Sequence, residues 1–95
     1  MSELSDYQKE IGTWAVKTFP LATNKSRLKH LEKEVQELID GGDPSEAADC
    51  FILLLNYAHV NNFDLLDEAR RKMVVNYSRK WGLPEKDGVV EHVED

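Results

Sequence analysis

The sequence predicts an all-α fold of four helices in a single domain, and three observations support this class. Apolar residues recur at three- and four-residue steps, the spacing of amphipathic helices. Prolines and paired glycines or asparagines interrupt that spacing, and no stretch of useful length alternates apolar and polar residues as a strand would. The 95 residues are enough for one hydrophobic core but not for two.

The first two helices are predicted from apolar stripes and the breaks that follow them. The first helix ends before Pro20, because proline disfavours helical backbone at the preceding residue. The second begins near Asn24 or Ser26, runs to about Ile39 and is broken by residues 40–42. The predicted inward residues are Leu4, Tyr7, Ile11, Trp14, Ala15 and Thr18 in the first helix, then Leu28, Leu31, Val35, Leu38 and Ile39 in the second.

The third helix has the clearest start signal in the chain. Asp43 can cap it, Pro44 suits its first position, and Glu46 follows Asp43 by three residues, as in a capping box. The helix runs to about Val60, and residues 50–55 in its middle are apolar on every side. A helix of this kind is buried all round. Because four short helices cannot easily enclose it, we expect the third helix to lie at a homo-oligomer interface.

The fourth helix is predicted from about Asp64 to Lys80. Two asparagines at 61–62 end the third helix, and residues 81–84, which contain a glycine and a proline, end the fourth. Its predicted inward residues are Leu66, Ala69, Met73 and Tyr77.

Composition and charge exclude several classes of function. Twelve Lys and Arg against eighteen Asp and Glu give a net charge of −6, which argues against binding nucleic-acid backbone. No apolar run approaches the roughly 18 residues of a membrane span, and residues 1–3 open no signal peptide. Cys50 is the single cysteine, so no intramolecular disulfide can form. We expect a cytoplasmic protein that binds neither membrane nor nucleic acid.

Two pairs of carboxylates mirror each other around the turn between the second and third helices. Glu34 and Glu37 lie three residues apart, and so share one helix face. Glu46 and Asp49 do the same on the third helix. The short loop predicts an antiparallel hairpin. Glu37 then lies opposite Glu46, and Glu34 opposite Asp49.

Facing carboxylates of this kind repel, so either their pKa values rise or a cation binds among them. Mg²⁺ prefers oxygen ligands and leaves positions for water and phosphate, so the four residues predict a divalent metal site. The alternative interpretation is that all four are ordinary charges on solvated faces, with Glu46 serving only as a cap.

A basic face on the fourth helix is the second functional signal. Lys72, Asn76 and Arg79 fall within about a 60° arc, and Lys80 lies just beyond. Such a face suits the oxygens of a polyphosphate. The alternative is a solvated face that complements the helix dipole.

Three further side chains have weaker signals. His30 lies one turn before Glu34 and could touch substrate or hydrogen-bond a metal-ligand carboxylate, although an ordinary surface role is the alternative. Trp14 and Trp81 could stack on a purine, with core packing favoured for Trp14.

Taken together, these motifs resemble the MazG-like, all-α nucleoside triphosphate pyrophosphohydrolases. Residues 34–38 (EVQEL) and 46–49 (EAAD) match the ExxE…ExxD signature of that family. The resemblance spans roughly residues 10–94 and is strongest to the short branch described as dATP/dGTP pyrophosphohydrolase, which is common in phages and bacteria. The segments that resemble this branch are 14–20 (WAVKTFP), 30–31, 49–55, 79–82 and 87–93.

The resemblance implies a four-helix bundle-like MazG fold over residues 1–95 and a homodimer or homotetramer. It implies metal-dependent hydrolysis of deoxynucleoside triphosphates, with a purine preference, to the monophosphate and pyrophosphate. Phosphoribosyl-ATP pyrophosphohydrolase and a non-enzymatic helical dimer are the alternatives. The location implied is the cytoplasm of a bacterium or phage-infected cell.

The resemblance also implies roles for individual residues. Mg²⁺ or Mn²⁺ would be bound by the four mirrored carboxylates, and either Glu34 or Glu37 would be the catalytic base. The substrate-binding candidates are Lys72, Asn76, Arg79, Lys80, His30 and Trp81.

Overall fold

The structure, a computed structural model, describes residues 2–82, 90 and 92–93, and of residues 80–81 and 92–93 it describes the backbone alone. Four helices dominate it, which confirms the all-α class, and two strands of two residues each pair antiparallel after the last helix. The elements are α1 (Glu3–Thr18), α2 (Asn24–Gly41), α3 (Pro44–Val60), α4 (Leu65–Ser78), β1 (Lys80–Trp81) and β2 (His92–Val93).

A side-chain cap starts every helix, which explains where the helices begin. The predicted capping box of α3 is confirmed: the Asp43 carboxylate accepts from the backbone of the first turn, and Glu46 accepts from the Asp43 N–H at 3.3 Å. A second box, between Thr23 and Ser26, starts α2. At the end of α2, Gly42 has φ of +67°, a left-handed conformation that glycine adopts without steric cost.

The core lies along α3, which packs against both α1 and α2. Leu55 and Ala58 of α3 are completely buried, at 0% exposure. Gly12 permits the close approach of α1, because a Cβ atom at this position would overlap the ring of His59 on α3. The remaining buried apolar residues are Ile11, Ala15 and Cys50.

Gln8 connects α1 to the segment between α3 and α4. Its buried amide donates to the carbonyl oxygen of Phe63 at 2.8 Å and accepts from the N–H of Leu65 at 3.0 Å. These two bonds satisfy backbone groups that the turn leaves without helical partners. The start of α4 is thereby held against α1.

The predicted inward stripes of α2 and α4 are not buried within one chain. No residue of α2 or α4, both of which the structure describes in full, is buried. Ile39 of α2 is exposed, and Tyr77 of α4 is 82% exposed. α4 packs against α1 and α3, and within the described part of the chain it does not pack against α2. No helix described here is long and apolar enough to cross a bilayer.

Gly12→Ala should destabilise the protein because the new methyl group forces α1 away from His59. Overpacking of this kind costs about 1–3 kcal/mol, which corresponds to a melting temperature lower by several degrees. Thermal unfolding followed by circular dichroism measures the change. Thr13→Ala, on the exposed side of α1, is the matched control. Equal melting temperatures for the two variants would contradict the close packing of α1 on α3.

Candidate active site

His30 and Glu34 form the best-defined contact among the predicted site residues. Both lie on α2, one turn apart, and His30 Nε2 lies 3.2 Å from Glu34 Oε1. The Glu34 side chain is only 16% exposed, so this hydrogen bond restricts a carboxylate that is already largely shielded from water. Of the functional roles predicted for His30, hydrogen bonding to a carboxylate is the one that the geometry provides.

Glu37 shares the α2 face with Glu34, and the two carboxyl groups interact. A hydrogen bond with Glu34 and the negative charge of Glu34 raise the pKa of Glu37 above its ordinary value, while Lys33 and His30 oppose this rise. The repulsion expected between carboxylates is therefore present within the α2 pair. A hard cation at this face would offset it.

Glu46 occupies the other side of the turn, where its carboxylate closes the α3 capping box. It lies so close to the end of α2 that a Cβ atom on Gly41 would overlap its oxygens. Asp43, the other half of the box, accepts hydrogen bonds from the Ser45 N–H and hydroxyl, which hold the pKa of Asp43 below its ordinary value. The predicted capping role of Glu46 is therefore observed, while its metal role stays a prediction.

The two-residue connection folds α2 and α3 into a hairpin, which places the two carboxylate-bearing helices side by side. Asp49 lies one turn beyond Glu46 on α3 and is exposed. Among residues 2–82 and the described tail positions, no three His, Cys, Asp or Glu side chains converge closely enough to hold a metal ion. The donor set has the oxygen chemistry that Mg²⁺ and Mn²⁺ prefer. The assignment of these residues as ligands stays a prediction.

The predicted phosphate-binding residues lie on a different part of the molecule. Lys72 is exposed on α4, and Asn76 donates to Met73 Sδ at 3.6 Å on the same helix. The Arg79 N–H donates to the Asn76 carbonyl oxygen and caps α4. Because α4 does not pack against α2 where the chain is described, the structure does not join this basic face to Glu34 and Glu37.

Other predicted positions fall outside the described residues. The side chains of Lys80 and Trp81 belong to this group, as do residues 87–89 and 91 of the segment that resembles the short branch.

A cavity of about 230 Å³ lies between α1, α2 and α3, directly beside His30. Trp14 and Phe19 form one wall and meet edge to face, with ring centroids 5.7 Å apart. Trp14 is 55% exposed, so the core-packing role favoured from the sequence is wrong. The cavity also contains Asn56, which the sequence analysis missed. Its signal was a lone amide directly after an apolar run.

Comparison with known proteins identifies the family. The model of the dATP/dGTP pyrophosphohydrolase family matches residues 7–95. The chain belongs to this family. Two phage dATP/dGTP diphosphohydrolases are similar to it. The Salmonella phage PMBT28 protein is 38% identical over 94 residues, which are 97% of this chain but 32% of that protein. The Cyanophage S-2L protein is 29% identical over 93 residues, which are 95% of this chain and 88% of that protein.

A solved structure extends the family assignment to the fold. It is the Cyanophage S-2L MazG-like pyrophosphohydrolase bound to dGDP and three catalytic Mn²⁺ ions per active site. The TM-score is 0.85 at 28% identity, and the match covers 99% of this chain and 96% of that one. The MazG-like fold is therefore confirmed for this family member. The chain spans about a third of the length of the Salmonella phage relative.

The cap and metal roles of Glu46 can be separated by two substitutions. Glu46→Gln keeps a carbonyl oxygen for the Asp43 N–H, so the melting temperature without metal should stay close to that of the unmodified protein. Glu46→Ala removes the acceptor and should lower the melting temperature without metal by a few degrees. Both variants should lose most of the rise in melting temperature that Mn²⁺ produces, because both lack the charge.

Thermal melts with and without Mn²⁺ measure both effects. The matched control is Glu32→Gln, since Glu32 is an exposed α2 residue whose contact is an ion pair with Lys29. If Glu46→Gln keeps the full Mn²⁺ effect, Glu46 is a cap alone.

Proposed function

We propose that this chain hydrolyses purine deoxynucleoside triphosphates, dATP and dGTP, to the monophosphate and pyrophosphate in a reaction that requires Mg²⁺ or Mn²⁺. The observation that carries the proposal is the α2–α3 hairpin, which bears ExxE on one helix and ExxD on the other. Support comes from the match over 99% of the chain to a pyrophosphohydrolase whose structure contains dGDP and catalytic Mn²⁺.

The proposed metal ligands are Glu34 and Glu37 of α2 with Glu46 and Asp49 of α3. Two observations support this set: α2 packs directly on α3, and the Glu34 carboxylate raises the pKa of Glu37. Like charges on neighbouring helices favour binding of a divalent cation that offsets their repulsion. When bound, such ions polarise phosphate oxygens and lower the pKa of a coordinated water.

Either Glu34 or Glu37 accepts the proton from the attacking water. His30 acts on Glu34 as a positioning residue, because its ring nitrogen lies 3.2 Å from the carboxylate and fixes the direction of the oxygen. A carboxylate held in this way keeps its remaining lone pairs oriented toward a metal ion or water.

Lys72, Asn76 and Arg79 are the proposed phosphate contacts, together with Lys80 and Trp81 at the end of the same segment. A cationic face of this kind would neutralise the triphosphate. α4 packs against α1 and α3 in the described chain, so the carboxylates of α2 would meet this face across a subunit boundary.

A homodimer or homotetramer is therefore part of the proposal. Large apolar side chains on several helices remain exposed in one chain, among them Ile39, Phe51 and Val74. Large apolar side chains left exposed on several helices support an interface between proteins. A second copy is the proposed occupant, because it would cover these faces and complete the site with its α4. The proposed place of action is the cytoplasm of a bacterium or phage-infected cell, where deoxynucleotides are available.

Incubation of the purified protein with each dNTP and NTP should release monophosphate and pyrophosphate from dATP and dGTP only when Mg²⁺ or Mn²⁺ is present. EDTA should abolish the reaction, since bound metal ions would activate the attacking water and neutralise the phosphate charge. Chromatography of the products measures both turnover and base preference. Phosphoribosyl-ATP is included as a substrate, because its exclusive hydrolysis would contradict the dNTP assignment. No hydrolysis of any substrate would favour a non-enzymatic helical dimer.

Comparing Glu34→Gln with Glu37→Gln should show which of the two residues is the catalytic base. The variant that loses the base should lose turnover about 10²- to 10⁴-fold beyond any loss of metal-dependent nucleotide binding, the usual contribution of a positioned base. Nucleotide binding by calorimetry and single-turnover hydrolysis measure the two properties. Glu32→Gln is again the control. Comparable residual turnover in both variants would contradict the assignment of either residue as the base.

A further inference from the structure

Asn56 is a buried polar residue that lines the cavity and has an unpaired acceptor atom. The residue is 8% exposed, and its Oδ1 atom has no hydrogen-bond partner in the described structure. A buried acceptor without a partner is costly, and buried polar atoms in proteins are almost always satisfied. Asn56 lies in the wall of the cavity between α1, α2 and α3. A ligand that donates a hydrogen bond in this cavity would satisfy it.

The other polar side chains that line the cavity have partners already. The Ser26 hydroxyl accepts from the Thr23 N–H and donates to the Thr23 carbonyl oxygen in the α2 capping box. Arg27 donates to the Ala22 carbonyl oxygen at 3.1 Å, and His30 contacts Glu34. Asn56 is therefore the lining residue whose acceptor remains available to a ligand.

The lining and volume of the cavity favour an aromatic ring as its ligand. Most of the lining is apolar, and two aromatic residues, Trp14 and Phe19, are part of it. The volume of about 230 Å³ is below the roughly 300–1,000 Å³ of pockets that enclose a whole drug-sized ligand. The cavity therefore suits one ring system of a larger molecule, with the rest of that molecule outside.

The position of Asn56 along α3 indicates where the rest of the ligand would lie outside the cavity. Asp49, a proposed metal ligand, precedes Asn56 by seven residues, so the two lie on the same helix face about 10.5 Å apart along the axis. His30 connects the cavity to Glu34 on α2. A nucleotide with its phosphates at the carboxylates would extend its base toward Asn56.

We propose that this cavity binds the nucleobase of the substrate and that Asn56 Oδ1 accepts a hydrogen bond from an N–H group of the base. Adenine offers its amino group, and guanine offers an amino group and a ring N–H. The inference rests on the proposed nucleotide hydrolysis and adds a residue that determines specificity. Sites built to hydrogen-bond a substrate discriminate strongly against analogues that lack the group, because the protein acceptor is then left unpaired.

The test compares dATP and dGTP with purine deoxyriboside triphosphate, whose base has the same ring system but no N–H donor on its six-membered ring. The wild-type protein should favour dATP or dGTP by about 10- to 100-fold in kcat/KM, as expected for a single buried hydrogen bond. Asn56→Leu, which has similar size but no acceptor, should bring this ratio close to one. Gln36→Leu, on the exposed side of α2, is the matched control and should keep the wild-type ratio.

A structural role for Asn56 predicts a different result. Leucine removes an unsatisfied buried acceptor, so Asn56→Leu should leave the melting temperature unchanged or raise it. A lower melting temperature with an equal loss of kcat/KM for all three substrates would overturn the proposal. If Asn56→Leu fails to fold, Asn56→Asp keeps acceptor oxygens in the same shape and should retain the ratio. Loss of the ratio in Asn56→Asp would then also overturn the proposal.

Calorimetric binding of dAMP, dGMP and purine deoxyriboside monophosphate separates this inference from the proposed reaction. If no triphosphate is hydrolysed but Asn56→Leu still weakens dAMP or dGMP binding selectively, the base site stands and the proposed reaction fails. If triphosphates are hydrolysed and neither binding nor kcat/KM depends on Asn56 and the base N–H, the reaction stands and the base site is wrong.

Discussion

The reversal of the chain between α2 and α3 is the constraint on which the rest of this structure depends. Gly42 takes a left-handed conformation that ends α2, and the box of Asp43 and Glu46 starts α3 immediately afterwards. Because only two residues separate the helices, their axes have little freedom relative to each other. That restriction places the helix that carries ExxE beside the helix that carries ExxD. The same two helices, together with α1, line the cavity.

Glu46 closes the turn and is also a proposed metal ligand, so metal binding at this residue would be coupled to formation of the turn. Its carboxylate satisfies the Asp43 N–H at 3.3 Å, a weak contact that a divalent ion could outcompete or share. A ligand taken from a cap leaves a helix N–H to be satisfied by water, which is inexpensive at an exposed turn.

Local sequence signals predicted the helices well, because caps and breakers act over three or four residues. Asp43, Pro44 and Glu46 placed the start of α3 correctly for this reason. Periodicity is weaker evidence, since it identifies residues that share a face but not what covers that face. Tyr77 is therefore highly exposed within one chain, although its spacing predicted an inward position. The contact of His30 with Glu34 was predictable because both residues lie one turn apart on α2.

Trp14 and Asn56 were harder to assign because their roles arise from the packing of three helices. An aromatic residue in an apolar stripe usually packs in the core, and only the positions of α2 and α3 leave Trp14 at a cavity wall. Asn56 is buried by the same packing. That packing shields its amide from water but provides no donor for its Oδ1 atom. Without a ligand, the unpaired acceptor of Asn56 contributes no hydrogen bond to stability. The proposed base would donate a hydrogen bond to this acceptor, and the cost of leaving the acceptor unpaired would then favour ligands that carry the donor.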